Sequence, residues 1–368
     1  MNRNEMKTEN KWKLEDIFAS DAEFEKAYAA AKASASLCLK YREKLKEKED
    51  VLNCFRDCDF VSKQLERIYA YAKMRHDEDT REAKYKDMSG RAESLYVEIA
   101  SNNSFITPSL SKLKKEKLES FIKDPDFSDY DYQLKQILKN KKYILSEKEE
   151  KLLAEGGEVF SSFRNIFSMI DNADMKYGEV EDSNGNKTVL SHAKYSLFMQ
   201  SPDRLLRERA FKEYYKSYID RINTITAVYS SSVKKDCYLS AVRGYKSCLE
   251  KALINEDVPE AVYKNLVKSV GDNLKPLHEY VKFRKKALGL TEMHMYDMYV
   301  PIIENAELKL DYEEALKLVK DGLRPLGTGY GALLNRAMEE RWIDVYENDG
   351  KKSGAYSFDV YGAHPLYC

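Results

Sequence analysis

Leu65-Glu66-Arg67-Ile68-Tyr69-Ala70-Tyr71-Ala72 sets Leu65, Ile68, Tyr69 and Ala72 at three- and four-residue steps. That spacing belongs to an α-helix with one apolar face turned to a core. Outward from it the character persists. Residues 21 to 103 contain a single glycine, Gly90, and no proline occurs before Pro108, so helices run there almost without a breaker. Upstream, Trp12-Lys13-Leu14-Glu15-Asp16-Ile17-Phe18 is a short apolar-polar anchor ahead of the first helices.

The whole chain of 368 residues has room for two or three domains. It is 43% hydrophobic and 33% charged, with only 15 glycines and 8 prolines, a balance that favours long helices over a turn-rich β fold. Lys plus Arg number 61 against 62 Asp plus Glu, a net charge of −1, which gives no electrostatic case for nucleic acid or an anionic membrane. Met1 to Ser20 lack the apolar centre of a signal peptide. No stretch approaches the ~18 apolar residues that span a bilayer, and a cytoplasmic location is expected. Cys38, Cys54, Cys58, Cys237, Cys248 and Cys368 include no Cys-x-x-Cys pair. Cys54 and Cys58 share a helix face, as half a metal site or as two buried thiols in a reduced cytosol.

Further along, Thr107-Pro108 reads as a helix start, Asp124-Pro125 as a break, and Ser146-Glu147-Lys148-Glu149 as a capping box. Residues 177–182 and 187–190 flank Ser183-Asn184-Gly185-Asn186 as a β-hairpin. Ser201-Pro202-Asp203 then opens a second helical region. Phe211, Tyr215, Tyr218, Ile222, Ile225, Tyr229 and Val233 recur as one long amphipathic helix. Another helix is expected from Asp257 to Leu288, kinked or divided by Pro276 and stopped at Gly289. Asp311-Tyr312-Glu313-Glu314 starts a further one. Finally, 342–346 and 355–358 flank Asn348-Asp349-Gly350 as a second hairpin.

The chemistry-bearing residues are few. The five histidines, His76, His192, His278, His294 and His364, are never closer than sixteen residues. A helix-borne zinc site needs two histidines four apart on one face. His278-Glu279 is followed by Lys282 in the second ligand's place, and a lysine protonated near neutral pH is a poor ligand. There is no phosphate loop and no Gly-x-Ser-x-Gly elbow. Gly327-Thr328-Gly329-Tyr330-Gly331 follows a helix and reads as a turn.

Six stretches, in order, are similar to motifs of the oligoendopeptidase F family of zinc metallopeptidases. They are 12–18; Tyr69-Ala70-Tyr71-Ala72 with Asp77-Glu78-Asp79-Thr80; 145–147 with 150–154; Tyr296-Asp297-Met298-Tyr299-Val300-Pro301, which looks like a strand segment of the family's catalytic domain; Asp344-Val345-Tyr346-Glu347-Asn348; and Gly350-Lys351-Lys352-Ser353-Gly354-Ala355-Tyr356-Ser357. The resemblance implies a mainly α-helical, bilobed multi-helix shell with small β-hairpins and a truncated zincin-type catalytic domain. It divides the chain into 1–110, an N-terminal helical region; 111–190, a central helical segment ending in a β-hairpin; and 191–368, an incomplete N-terminal part of the catalytic domain. The implied activity is zinc-dependent hydrolysis of short peptides.

In that family a His-Glu-x-x-His helix and a further glutamate hold zinc. This sequence contains no such motif, so no catalytic or metal-binding residue carries over. The expectation is a chain truncated before the motif and inactive alone: a shortened reading frame, an excised fragment, or one half of a split gene whose complement is a separate C-terminal polypeptide. The alternative is a non-catalytic helical protein that binds peptides or serves as an interaction scaffold. The resemblance implies a substrate-pairing edge at Gly354, Ala355 and Tyr356, where small residues admit another backbone. The same residues also read as an ordinary hairpin strand. His364 reads either as lining that region or as an exposed histidine before Pro365. An incomplete catalytic domain would leave apolar surface uncovered, so an oligomeric or poorly soluble chain is expected.

Overall fold

The computed structural model describes residues 3–303 and 310–367; Cys368 lies outside them. Regular structure is mainly helical, with two small antiparallel hairpins. Two compact units form: Met1–Ala173 with Leu323–Cys368, and Asp174–Gly322.

In the first unit, α1 (Asp21–Ser34) starts where the Ser20 hydroxyl accepts the Glu23 N–H at 3.3 Å. α2 (Lys48–Glu78) runs for 31 residues beside α3 (Ala83–Asn103). The expected face of α2 is buried at Leu65, Ile68 and Ala72, but Ala70 and Tyr71 on the other side are buried as well. The anchor explains this. Phe18 meets the Tyr71 ring edge-on at 5.5 Å, and Phe24 of α1 stacks on it at 5.6 Å, so α2 is covered on both sides.

A second cluster forms around Phe55, Phe105, Phe127 and Leu134, using α4 (Ile106–Ser111), α5 (Lys115–Ile122) and α6 (Asp131–Asn140). α4 begins ahead of Thr107, leaving Pro108 in the first turn, where its missing N–H breaks no helical bond. α7 (Glu147–Glu155) has the expected capping box of Ser146 and Glu149, and α8 (Gly157–Met169) follows.

The second unit opens with the expected hairpin. β1 (Glu179–Glu181) pairs antiparallel with β2 (Lys187–Val189), and Gly185 takes a φ of +85° in the turn. α9 (His192–Phe198) precedes α10 (Arg204–Ile219), which is capped by Asp203 rather than Ser201, the carboxylate accepting the Leu205 and Leu206 N–H groups. The expected single long helix is divided between α10 and α11 (Ile222–Val242). Arg221 leaves helical geometry there, and its guanidinium donates to the Ser217 carbonyl at 2.9 Å, closing the end of α10.

α12 (Cys248–Asn255), α13 (Glu260–Asp272) and α14 (Leu274–Ala287) follow. The break expected near Pro276 falls at Asn273, which puts the proline in the first turn of α14. Tyr296–Pro301, similar to a family strand, forms a 3-10 turn at Met295–Asp297 instead. Asp297 causes this. Its buried carboxylate accepts from Arg204, Arg207 and the His294 N–H, which curls the chain around it. α15 (Tyr312–Leu323) carries the expected acidic cap, Asp311 and Glu314 bonding reciprocally.

The chain then forms α16 (Thr328–Glu339) in the first unit. The expected hairpin about Asn348-Asp349-Gly350 does not form. β3 (Ser357–Phe358) pairs with β4 (Leu366–Tyr367), and Ile343 makes a parallel bridge to Tyr367. The turn residues are engaged elsewhere: Asn348 Nδ2 donates to the Glu78 carbonyl, and the Gly350 carbonyl accepts from the Thr80 N–H and hydroxyl.

Among the described residues no helix is long and apolar enough to cross a membrane. On α13, Val262, Leu266 and Val270 recur at four-residue steps and are each more than half exposed, as are Leu277 and Phe283 on α14. The chain is therefore expected to self-associate in dilute buffer. Light scattering across a dilution series checks this, and a monomer at every concentration with a single cooperative melt would contradict it.

Candidate functional site

Three segments distant in sequence meet at the C-terminal end of α2, all within the first unit. Arg3 and Trp12 come from the N-terminus, Asp77 to Arg81 from the end of α2, and Asp344 to Tyr356 from beyond α16. Asp344 has no exposed side-chain surface; Arg3 lies 2.6 Å from one of its oxygens and Lys351 2.7 Å from the other. Arg3 also reaches Glu78 at 2.6 Å, and Trp12 Nε1 donates to the same Glu78 oxygen at 2.9 Å. Burial alone would raise the Asp344 pKa, but Arg3 and Lys351 outweigh it and hold the carboxyl below its usual range.

Asp77 performs the same service for the next residues. Its carboxylate accepts from Lys73 at 2.9 Å and from the Tyr356 hydroxyl at 2.9 Å, and lies 3.4 Å from the Lys352 ammonium. Its backbone carbonyl takes the Lys352 N–H at 3.0 Å. Burial pushes its pKa up; His76, Lys73 and Lys352 more than reverse this and bring it to about 2. Burial likewise lowers the Lys352 pKa, against the pull of Asp77.

Gly350 sits tightly over this platform. Its φ is +78°, and a Cβ there would strike the Asp79 carboxylate and the Arg81 guanidinium.

Between the clamped Lys352 and Tyr356 the chain is exposed. Gly354 and Ala355 are exposed and Gly354 takes a φ of +112°, with open space where a Cβ would be. Among the described residues none hydrogen-bonds to the backbone of Gly354 or Ala355, although Ser353 N–H is held by Asn172 Oδ1 at 3.2 Å. Gly354 and Ala355 thus lie on an exposed stretch outside any strand, next to Tyr356, whose hydroxyl is bonded to Asp77. His364 lies elsewhere. Its ring stacks on Trp342 at 4.6 Å, and Nε2 is 2.9 Å from Asp16 Oδ2; no described contact joins it to 354–356.

The meeting segments are the stretches quoted above for their family likeness. Residues 110–177 match the family model described as Oligopeptidase F, and 197–367 match Peptidase family M3. The chain belongs to the oligoendopeptidase F family of M3 peptidases. It is 40% identical to Oligopeptidase PepF of Bacillus subtilis over 99% of its own length and 54% of that protein. To an Oligoendopeptidase F homolog of Lactococcus lactis it is 36% identical, over 98% of this chain and 60% of the relative. The crystal structure of oligoendopeptidase-F from Enterococcus faecium superposes with a TM-score of 0.73 at 32% identity, over 86% of this chain and 60% of that one. The chain thus spans a little over half the length of these oligoendopeptidase F relatives.

The zinc that M3 peptidases generally use does not fit the residues described. No three His, Cys, Asp or Glu side chains are placed among them to hold a metal ion. His76 is buried, and its Nδ1 faces Asp77 at 3.8 Å. Asp77 is already occupied by two lysines and a tyrosine, and two ammonium groups facing it oppose a dication. Arg3, Lys351 and Lys352, which complete the platform, carried no sequence signal of their own. Lys351 and Lys352 were marked only by their place in the family-like stretch from Gly350 to Ser357, and Arg3 lies outside every such stretch.

Because Asp77 is depressed in the fold, it contributes stability above its unfolded pKa near 3.8 and loses it as pH falls through about 2. The contribution is about 2 kcal/mol at neutral pH. Asp77→Asn should remove that part of the acid dependence, read from urea midpoints between neutral and strongly acid buffer. Gly350→Ala should cost ~1–3 kcal/mol from positive φ and overpacking, with the 348–356 segment becoming protease-sensitive; an unchanged urea midpoint would refute the close fit.

Proposed function

We propose that this chain is the peptide-holding part of a zinc-dependent oligoendopeptidase, and that these residues alone do not hydrolyse peptides. The observation that carries the reading is the free backbone at Gly354 and Ala355, held rigidly at both ends by Asp77 through Lys352 and Tyr356. An extended peptide can add to such an edge by main-chain hydrogen bonds, which are indifferent to side-chain identity. The family relationship supports short peptides as the substrate class: the relatives named above are oligopeptidases and oligoendopeptidases.

The chemistry of this portion is positioning. The peptide N–H and C=O groups exchange water for fixed partners, and the clamp limits the entropy lost on binding. A zinc ion would supply an activated water in the complete family machinery, but the described residues offer it no ligands.

Fluorescence anisotropy with a labelled short peptide tests the reading. Binding is expected to be unchanged by a chelator, and no cleavage is expected with or without added zinc. Ala355→Pro removes one donor that has no internal partner, so affinity should fall about 5-fold, the value of one hydrogen bond, with an unaltered melting temperature. Cleavage in added zinc would overturn the inactive reading, and an unaffected affinity would overturn the edge at Ala355.

A further inference from the structure

Another cluster lies in the first unit with no part in the site above. Cys54 and Cys58 sit on α2, and the 3-10 turn Leu37–Tyr41 carries Cys38 to them. Cys38 Sγ is 3.1 Å from Cys58 Sγ. Cys54 interacts with both. Cys38 and Cys54 are buried and Cys58 is half-buried, so the open side of Cys58 is the route by which a small oxidant would reach the Cys38 sulfur 3.1 Å from it. Among the described residues these thiols do not form a metal-holding arrangement.

We propose that Cys38 and Cys58 are a hydroperoxide-sensitive dithiol, a site of reversible oxidation to a disulfide that ties the Leu37–Tyr41 turn to α2. The two sulfurs need to close from 3.1 Å to about 2 Å, a movement within side-chain rotation.

The three thiols are not equivalent. Hydrogen bonding from Cys54 and Cys58 holds the Cys38 thiol below its ordinary range, and the same contacts push Cys58 up. Cys38 is thus the member of the pair that ionises more readily, and thiolates are the species that react with oxidants. The Cys38 sulfur takes one oxygen from the hydroperoxide as the O–O bond breaks. The other oxygen leaves with a proton as water or an alcohol, and Cys38 becomes a sulfenic acid. The Cys58 sulfur then attacks the Cys38 sulfur. The S–O bond breaks, and the hydroxide leaves as water with the Cys58 proton. Two thiols lose two electrons in total, and one hydroperoxide gains them. A small thiol reverses the reaction by exchange, with Cys54 close enough to join it.

The test uses the full 368-residue chain with Cys237→Ser and Cys248→Ser, which removes the other close pair, 3.6 Å apart. Hydrogen peroxide treatment, alkylation and peptide mass mapping should show a Cys38–Cys58 link that dithiothreitol reverses, with a raised melting temperature while oxidised. Cys58→Ser should abolish the link and leave a sulfenic acid at Cys38 that dimedone captures. Cys54→Ser should keep the link. If the unsubstituted cluster emerges from peroxide with Cys38 and Cys58 both still alkylatable, or linked only between molecules, the proposal is wrong. That reading needs no cluster variant to fold.

Discussion

Two carboxylates at the wrong end of a helix organise the first unit. Asp77 and Glu78 close α2 where the helix dipole is already negative, and both are buried. Neither feature is tolerable without cations. Lys73 and Arg75 come from the same helix, Arg3 from the N-terminus and Lys352 from the C-terminal segment. Removing one partner from such a set strands a charge out of water. The demand for charge compensation therefore fastens together pieces of chain separated by 75 and 275 positions.

The second unit uses the same device in another setting. Asp297 is fully buried, and Arg204 and Arg207 converge on its two oxygens. Arg284 adds bonds to the Asp297 and Val300 carbonyls. In each unit a buried acid fixes non-helical chain against helices. Such segments lack a ladder of their own, so their backbone groups must find partners one by one. Side-chain carboxylates and guanidiniums supply those partners where a sheet would have supplied a neighbouring strand.

The exception is the stretch at Gly354 and Ala355. On either side of Gly354 and Ala355 the chain is pinned, through Lys352 to the Asp77 carbonyl and through the Tyr356 hydroxyl to the Asp77 carboxylate. The two residues between remain unpaired. An open backbone edge is ordinarily a liability that proteins cover or charge. Here it stands next to a rigid platform and carries no side chain larger than a methyl group. That combination makes it suited to receive another extended chain, and it ties the fold of the first unit to the function proposed for it.

Much of this was legible in the residues. The period of 65–72, the scarcity of breakers, the Ser146 capping box and the Asn184-Gly185 hairpin were all readable, because each is decided by atoms within a few positions. The ordered motifs also marked Asp77 to Thr80 and Gly350 to Ser357 as belonging together in a family. What sequence alone could not decide was pairing across the chain. The turn signal at Asn348-Asp349-Gly350 was real, but α2 took its hydrogen-bonding groups. The stretch at 296–301 resembled a family strand, but the desolvated Asp297 curled it. The stripe from Phe211 to Val233 was helical, but Arg221 closed one helix and began another. Local propensity is worth tenths of a kcal/mol per residue, whereas an unpaired buried charge costs several. Where the two competed, tertiary structure decided.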